Sequence, residues 1–572
     1  MKKKLENRLL LRVLLKLLGV VVIMWITITL LATVRLQAAL KVQDFQTAIQ
    51  SSQLLTPTSQ VLSVITFQSN HTLEVIDSSL SLLSRAEELP TTAHELQTQL
   101  ASENLDISPF LVFVSTSRND FIRLKTHLPE CRLCHHFLDA QQLLQLTESL
   151  DITLTLSEKA ADLLKGRHTY ILLFQNADEL RASGGFMGSY ALLTLQDGLL
   201  EPLQVKDIYD ADGQFDGYIP APAGVQEYLS SDRGLRLPDA NWEPHFPTSA
   251  KQIITFFSAA EKEPIEGVIA LNSKYFESLM ELLGPLWLPD YQLTVTANNL
   301  TDVLRTNRED FFAGSIQKKH LLEQFQNQVF IRLSQALSDN EITLIDLVAV
   351  TTKNMQQKNI LLYSTDQEIQ QLSAKLMLDG ALLETDTENY LAFVESNVGI
   401  NKANKNVTRA LSLTANGTKL TATYQIKNTN ESLLKTDLQA LVAEPAFTPI
   451  ASASADHLGY INYQRVLYPA SWTLLTSFVG KQPVEPQHQT TIGLANGQLL
   501  TQSAFLVPVA ERSEETLTLT FQAAGPLSGA PLELFKQPGV DPYPVWIATD
   551  QQQAFEGNST LILEKNSVTI IP

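Results

Sequence analysis

Cysteine is nearly missing, with two residues in 572. Disulfides therefore cannot staple the chain, and its stability must come from packed apolar cores. Surplus positive charge is missing too. Lys and Arg number 42 against 61 Asp and Glu, a formal net charge of −19. The first 35 positions hold seven basic residues and one acid, so they carry +6 and the remainder carries −25. A body that acidic repels phosphate backbones, which excludes DNA and RNA as partners. The chain has no G-x-x-x-x-G-K-[ST], no G-x-S-x-G and no H-E-x-x-H. Phosphate-loop, α/β-hydrolase and zincin chemistry are thereby set aside. The ten histidines are scattered, and apart from His135-His136 no two share a ligand spacing. Glycine is absent from 36–165, and only one long uncharged apolar run occurs.

What is present is a 44% hydrophobic, 18% charged chain with mean hydropathy −0.01. That excludes both a fully disordered chain and a polytopic membrane protein. The length allows about three or four domains of ~150 residues. Lys2, Lys3, Lys4, Arg8, Arg12 and Lys16 precede the apolar run from Leu17 to Val34, which Arg35 closes. Such a run spans about 27 Å as a helix. A basic flank on its amino side predicts a cytoplasmic N-terminus and an extracytoplasmic bulk. The expectation is an uncleaved single-pass anchor in the cell membrane. The rival is a cleaved signal ending near Gln37-Ala38-Ala39.

Five segments are expected: a basic tail (1–16), the anchor (17–35), a helical stalk (36–165), an α/β domain (166–405) and an immunoglobulin-like β-sandwich (406–572). Helical spacing of apolar residues around Leu73–Leu83 and Leu143–Leu150 argues for the stalk. The continuous apolar runs Thr169–Phe174 and Gly267–Leu271 read as buried strands. Ser249 and Ser273 are expected to cap the helices beside them, and Gly284-Pro285 to stop the second. After Asn406 the text is strand and turn, with Asn416-Gly417 a hairpin signal.

Residues Phe174-Gln-Asn-Ala-Asp-Glu-Leu-Arg-Ala-Ser-Gly-Gly-Phe-Met-Gly-Ser-Tyr190 closely resemble the "QN-x-x-E-x-R-x-x-GGF-x-G" core of the bacterial domain-of-unknown-function family 4012. The likeness continues through Asp207–Asp210, Asp239–Trp242, Phe246–Ala250, Gly267–Leu271, Leu283–Pro285, Ser396–Lys402 and Arg465–Pro469, over roughly 160–572. His245 and Glu266 stand where that family usually has aspartate. More distantly, the order of anchor, strand, arginine segment, strand and "VIALNSKYFESLMELLGPL" is similar to LytR–CpsA–Psr proteins. That likeness implies their α/β fold and an outward-facing role with glycans carried on polyprenyl pyrophosphate, destined for cell-wall polymer. The chain lacks that family's Arg-Asp pairing and Pro-Arg-Asp segment, so whether it is an enzyme stays open.

Read from the residues themselves, Arg181 with Gly184 and Gly185 forms a candidate anion site, since guanidinium and close-approaching backbone N–H groups bind phosphate. Asn176 and Glu179 are expected to hold Arg181. The competing reading is a braced turn whose glycines serve backbone geometry alone. Asp207, Asp210 and Asp212 form a candidate site for a hard cation, Mg²⁺ or Ca²⁺. It is no EF-hand, because the twelfth position from Asp210 is Ala221. If Arg181 and Asp210 converge, they are the catalytic candidates for metal-assisted phosphoryl transfer. Asn397 and Lys402 are candidate phosphate ligands or parts of a linking turn. Cys131-Arg-Leu-Cys134-His135-His136 admits a short-range disulfide, free thiols, a metal or c-type haem attachment. Two functions follow: binding or transfer of a polyprenyl-(pyro)phosphate-linked glycan, or a non-catalytic adhesion or scaffold role carried by the sandwich.

Overall fold

The computed structural model describes residues 165–300, 341–382, 389–431 and 458–547 almost without interruption. It also describes 117–131, parts of 71–81, 154–162 and 303–339, and the strands of 551–571. The basic tail, the anchor and most of the stalk lie outside the described residues. Among the described residues no helix is long and apolar enough to cross a membrane. The stalk contributes helix α1 (Arg118–His127). Its later part meets the α/β domain through Lys159, which pairs with Asp366 at 2.8 Å and Glu368 at 2.7 Å. Cys131 is buried and disulfide-bonded; Cys134 lies outside the described residues.

The α/β domain is built on strands β1 (Arg167–Asn176), β2 (Phe186–Gln196), β3 (Leu199–Leu200), β4 (Lys206–Asp207), β5 (Gly267–Asn272) and β8 (Ile360–Ser364). A small hairpin, β6 (Leu286–Leu288) with β7 (Leu293–Val295), lies apart. The main sheet runs β3-β2-β1-β5-β8, with β4 on β2. Only β1 and β5 pair in parallel; β1–β2 and β5–β8 are antiparallel.

Strand β1 is apolar from Tyr170 to Phe174, because both of its faces are covered there. Tyr170 and Leu172 join one core with α4 (Ser273–Leu283) and α5 (Leu344–Gln356). Ile171 and Leu173 join the other with α3 (Phe246–Ala260), whose Phe246, Phe256 and Phe257 are fully buried. Two further helices are α2 (Ile208–Asp212) and α6 (Gln367–Lys375), the latter capped by Asp366.

Two cap expectations shift. Helix α3 already starts at Phe246, and the Ser249 hydroxyl instead donates to the Glu243 carbonyl. Helix α4 is capped by Asn272, which accepts from the Lys274 N–H at 3.1 Å and leaves Ser273 as its first residue. Gly284, at φ +77°, ends α4 as its sequence predicts.

The C-terminal strands are β9 (Tyr390–Val394), β10 (Val407–Asn416), β11 (Lys419–Asn428), β12 (Tyr460–Pro469), β13 (Thr473–Val479), β14 (Gln482–Pro483), β15 (His488–Gly493), β16 (Leu499–Val509), β17 (Ser513–Gln522), β18 (Pro531–Phe535), β19 (Tyr543–Ile547), β20 (Gln551–Phe555), β21 (Ser559–Leu563) and β22 (Val568–Ile571). They form two sheets, β14-β13-β17-β11-β10-β19-β20 and β15-β16-β12-β9-β18-β21-β22. Residues of both sheets share one apolar core that includes Phe393, Leu411, Tyr424, Val466, Phe505 and Leu519. The Asn416-Gly417 hairpin joins β10 to β11 in register, with Gly417 at φ +63°.

Strand β9 belongs to this second domain, so the two-sheet unit opens at 390 and not at 406. The pairs β9–β18 and β10–β19 are parallel, a departure from the all-antiparallel sheets of an immunoglobulin-type sandwich. The domains also share packing. Val398, Ile461, Tyr463 and Ala504 of the second domain lie in the same cluster as Ile171, Val268 and Trp242.

Candidate functional site

The segment between β1 and β2 leaves the first sheet and enters the second domain. Leu180 packs in the core shared by the two sheets, and Ala182 packs with Tyr390, Ala392 and Val394. A charged residue carried into that interior must bring or find its partners. Arg181 is 1% exposed. Its Nε donates to Asp239 at 2.9 Å and its Nη2 to Glu179 at 3.1 Å. Its Nη1 donates to the carbonyls of Leu180 at 3.2 Å and Asn397 at 3.0 Å. Four of the five guanidinium N–H groups are thus engaged inside the protein. Burial outweighs the attraction of Arg181 and raises the Asp239 pKa. The carboxylates, in turn, raise that of Arg181 despite its burial.

Lys402 donates to the other Glu179 oxygen at 3.0 Å, so Glu179 bridges two cations. Asn397 is fully buried; its amide donates to Asn404 at 2.9 Å and to the Asn401 carbonyl at 3.0 Å. The predicted ligands Glu179, Arg181, Asn397 and Lys402 do come together, but around one another. Asn176 acts locally, accepting the Asp178 N–H at 2.9 Å.

The glycines answer to crowding. A Cβ on Gly184, whose φ is +131°, would fall 2.0 Å from Gln175 Oε1, and one on Gly185 would fall 2.2 Å from the Asn176 carbonyl oxygen. One on Gly539 would reach the Gly184 carbonyl oxygen at 1.9 Å. This is where 537–540 crosses the motif. There the Gln537 amide donates to Arg181 O at 3.1 Å and to Glu395 O at 2.8 Å.

The aspartates do not converge. Asp207 caps α2, accepting the Tyr209 N–H at 3.1 Å. Asp212 is buried and takes the Arg236 guanidinium and the Leu237 N–H, at 2.5 Å and 2.8 Å. Asp210 is exposed on the helix between them. Among the described residues no group of three His, Cys, Asp or Glu side chains is placed to hold a metal. Arg181 finds its carboxylate in Asp239, not in Asp210. The cation expectation for Asp207, Asp210 and Asp212 is therefore corrected. Capping and ion pairing had the prior use of two of the three carboxylates.

Further buried charges went unnoticed in the sequence. Glu395 receives Arg409 through two bonds at 2.6 Å and 2.9 Å, Tyr424 at 2.7 Å and Tyr460 at 2.5 Å. Burial alone would raise its pKa, but Arg409 and the two hydroxyls hold it below the ordinary value. Arg465 lies 4.6 Å above the Trp242 ring and donates to the Trp242 carbonyl at 2.8 Å, joining the domains again. Lys536 donates to the carbonyls of Gln357, Gln537 and Val540. The available signal was a charged residue set directly against an apolar strand, as in Val394-Glu395 and Phe535-Lys536.

Residues 165–308 match the family model described as a protein of unknown function (DUF4012). This segment is a DUF4012 domain. No curated protein matches the chain. Asn176–Gly188 and Arg181's carboxylate partners lie within the DUF4012 domain. Asn397, Lys402, Arg465 and Gln537, which complete the clamp, lie beyond the matched residues.

Proposed function

We propose that the chain is a non-catalytic scaffold of the cell envelope, held by a single-pass anchor. Its DUF4012 domain and two-sheet domain would act as one rigid body presented to cell-wall polymer. The observation that carries this reading is the saturation of Arg181. The residue best suited to a phosphate is spent on four internal bonds, three within its own domain and one, to the Asn397 carbonyl, across to the two-sheet domain. The alternative gives Arg181 to a polyprenyl-(pyro)phosphate-linked glycan. It would require the guanidinium to abandon Asp239 and Glu179, leaving Asp239 without its cation and Glu179 with Lys402 alone, a cost of several kcal/mol before any contact with a ligand.

The test is native mass spectrometry of the full chain, extracted gently from its membrane with Mg²⁺ present. The scaffold reading expects an unadorned mass for the wild type and for Asp210→Asn, together with retention of the wild type on cell-wall polymer. A co-purified polyprenyl phosphate that Arg181→Lys sheds while staying folded would return the transfer reading to first place.

A further inference from the structure

The sheet β14-β13-β17-β11-β10-β19-β20 turns one face to the core, where Leu413, Ala422 and Leu519 are fully buried. Side chains alternate along a strand, so the residues on either side of these three point outward. Strand register then lays the outward side chains in rows across the sheet. One row runs Trp546, Ser412, Thr423, Thr518 and Phe478, one residue from each of β19, β10, β11, β17 and β13. The row beside it runs Thr414, Thr421, Thr520 and Thr476. The result is a block of hydroxyls with an aromatic ring at each end of its first row.

Threonine is a good strand former, so hydroxyls on a solvated sheet face need no ligand to explain them. Three further features point to one. The central hydroxyls pair across strands, Thr421 with Thr520 and Thr423 with Thr518, each at 3.3 Å. A pair uses one proton, which leaves the other proton and the spare lone pairs for an outside group. Trp546 is 38% exposed and Phe478 half-buried, so both leave apolar surface beside the open hydroxyls. Charge is missing from the block. No charged residue occurs in 410–416, 420–426, 473–479 or 516–522, in a chain whose net charge is −19.

We propose that this face seats an extended, uncharged β-1,4-linked glycan laid across the strands. Neighbouring strands stand about 4.8 Å apart. A sugar ring of such a glycan advances by nearly the same length, so each ring meets the hydroxyl of a new strand. From Trp546 to Phe478, five strands give four such steps, ~19 Å. The sugars between the ends exchange hydrogen bonds with the threonines. The C–H faces of the end sugars lie on Trp546 and Phe478, whose ring faces are electron-rich. A neutral polymer also escapes the repulsion that the acidic body would exert on a polyanion. The inference rests on the scaffold reading, in which the chain faces cell-wall polymer, and gives that polymer its chemistry and its seat.

The experiment is calorimetric titration of the full chain with chitopentaose, cellopentaose and maltopentaose, beside a pull-down on insoluble cell-wall polymer. The first two are straight and β-1,4-linked. Maltopentaose has the sugar of cellopentaose in a curved, α-1,4-linked chain. At least one β-linked probe should bind at millimolar concentration or below, and maltopentaose at least about tenfold more weakly, ~1.4 kcal/mol. Trp546→Ala and Thr423→Lys, with urea midpoints like that of wild type, should each weaken the β-linked probe about tenfold or more and lower retention on the polymer. Failure of both β-linked probes, equal binding of maltopentaose, or binding that neither variant changes would overturn the proposal. Equal retention of wild type and variants on the polymer would remove this seat and leave the scaffold reading standing. A wild type that binds the probe through this face yet ignores the polymer would do the reverse. Self-association that Thr423→Lys abolishes, without sugar binding, would give the face to a second copy of the chain and overturn the glycan.

Discussion

Replacing Arg181 by methionine keeps the length of the side chain and deletes its charge. Asp239 then loses its cation, while Glu179 keeps Lys402 at 3.0 Å. The carbonyls of Leu180 and Asn397 lose a donor each. Breaking a buried pair by removing one member costs about 3–5 kcal/mol. The whole stability of a domain is ~5–15 kcal/mol. The ratio of folded to unfolded protein should therefore fall by two to nearly four orders of magnitude, ~1.36 kcal/mol for each. Urea unfolding of the full chain, followed by tryptophan fluorescence, reads it. Trp242 is buried at the domain junction, 5.5 Å from the Tyr463 ring.

The pH dependence separates lost pairing from lost volume. Burial already raises the Asp239 pKa above 3.8, and without Arg181 it climbs further. A carboxyl whose folded pKa exceeds its unfolded value costs stability once pH rises above the unfolded pKa, and that cost disappears on acidification. The deficit of Arg181→Met should be full at neutral pH and shrink as the pH falls toward about 4. A deficit within about 0.5 kcal/mol of wild type, the size of an ordinary surface change, would refute the clamp and restore Arg181 as a free anion ligand.

Other outcomes follow from the same geometry. Gly184→Ala places a Cβ 2.0 Å from Gln175 Oε1 at φ +131°; it should cost about 3 kcal/mol or more, read as a lower urea midpoint, whereas an open anion loop would tolerate it. Mg²⁺ or Ca²⁺ should leave the thermal midpoint of the full chain unchanged, as should Asp210→Asn. A midpoint rise with cation that Asp210→Asn abolishes would reinstate a metal site. Glu395 is held below its usual 4.5 by Arg409, after burial has pulled the other way. Its contribution is thus complete above pH 4.5 and lost as the pH falls through its lower folded value. Glu395→Gln should lower stability by about 3–5 kcal/mol at pH 7 and flatten the acid limb of the stability curve, measured by urea midpoints from neutral to acid pH.

The buried strands, the hairpin at Asn416-Gly417 and the helix stop at Gly284 were legible because each rests on a few neighbouring residues. Both N-caps were missed: Asn272 and Ser273 are equally competent cap residues one position apart, and Ser249 lies inside a helix that already begins at Phe246. The motif around Arg181 was found as a unit, yet its chemistry read ambiguously. Phosphate ligands and interior clamps are built from the same arginines, glycines and amides. What distinguishes them is the set of partners, and those lie 58, 216 and 356 residues further along the chain, at Asp239, Asn397 and Gln537. The same distance hid strand β9. Tyr390–Val394 has the text of a strand, but nothing in it tells which sheet it will join.

Those separations also set a timetable for folding. The Arg181 carbonyl cannot meet Gln537 until 356 further residues have been made, about 20–70 s at 5–20 residues per second. Through that interval the DUF4012 domain would hold a motif whose lid has not been synthesised, with Leu180 and Ala182 lacking the strands that enclose them. A chain interrupted before residue 537 would keep its N-terminal sheet, yet expose the segment meant for the deepest interior. Chaperones and proteases would meet that unfinished species first, and damage late in the sequence would register as failure of its earliest domain.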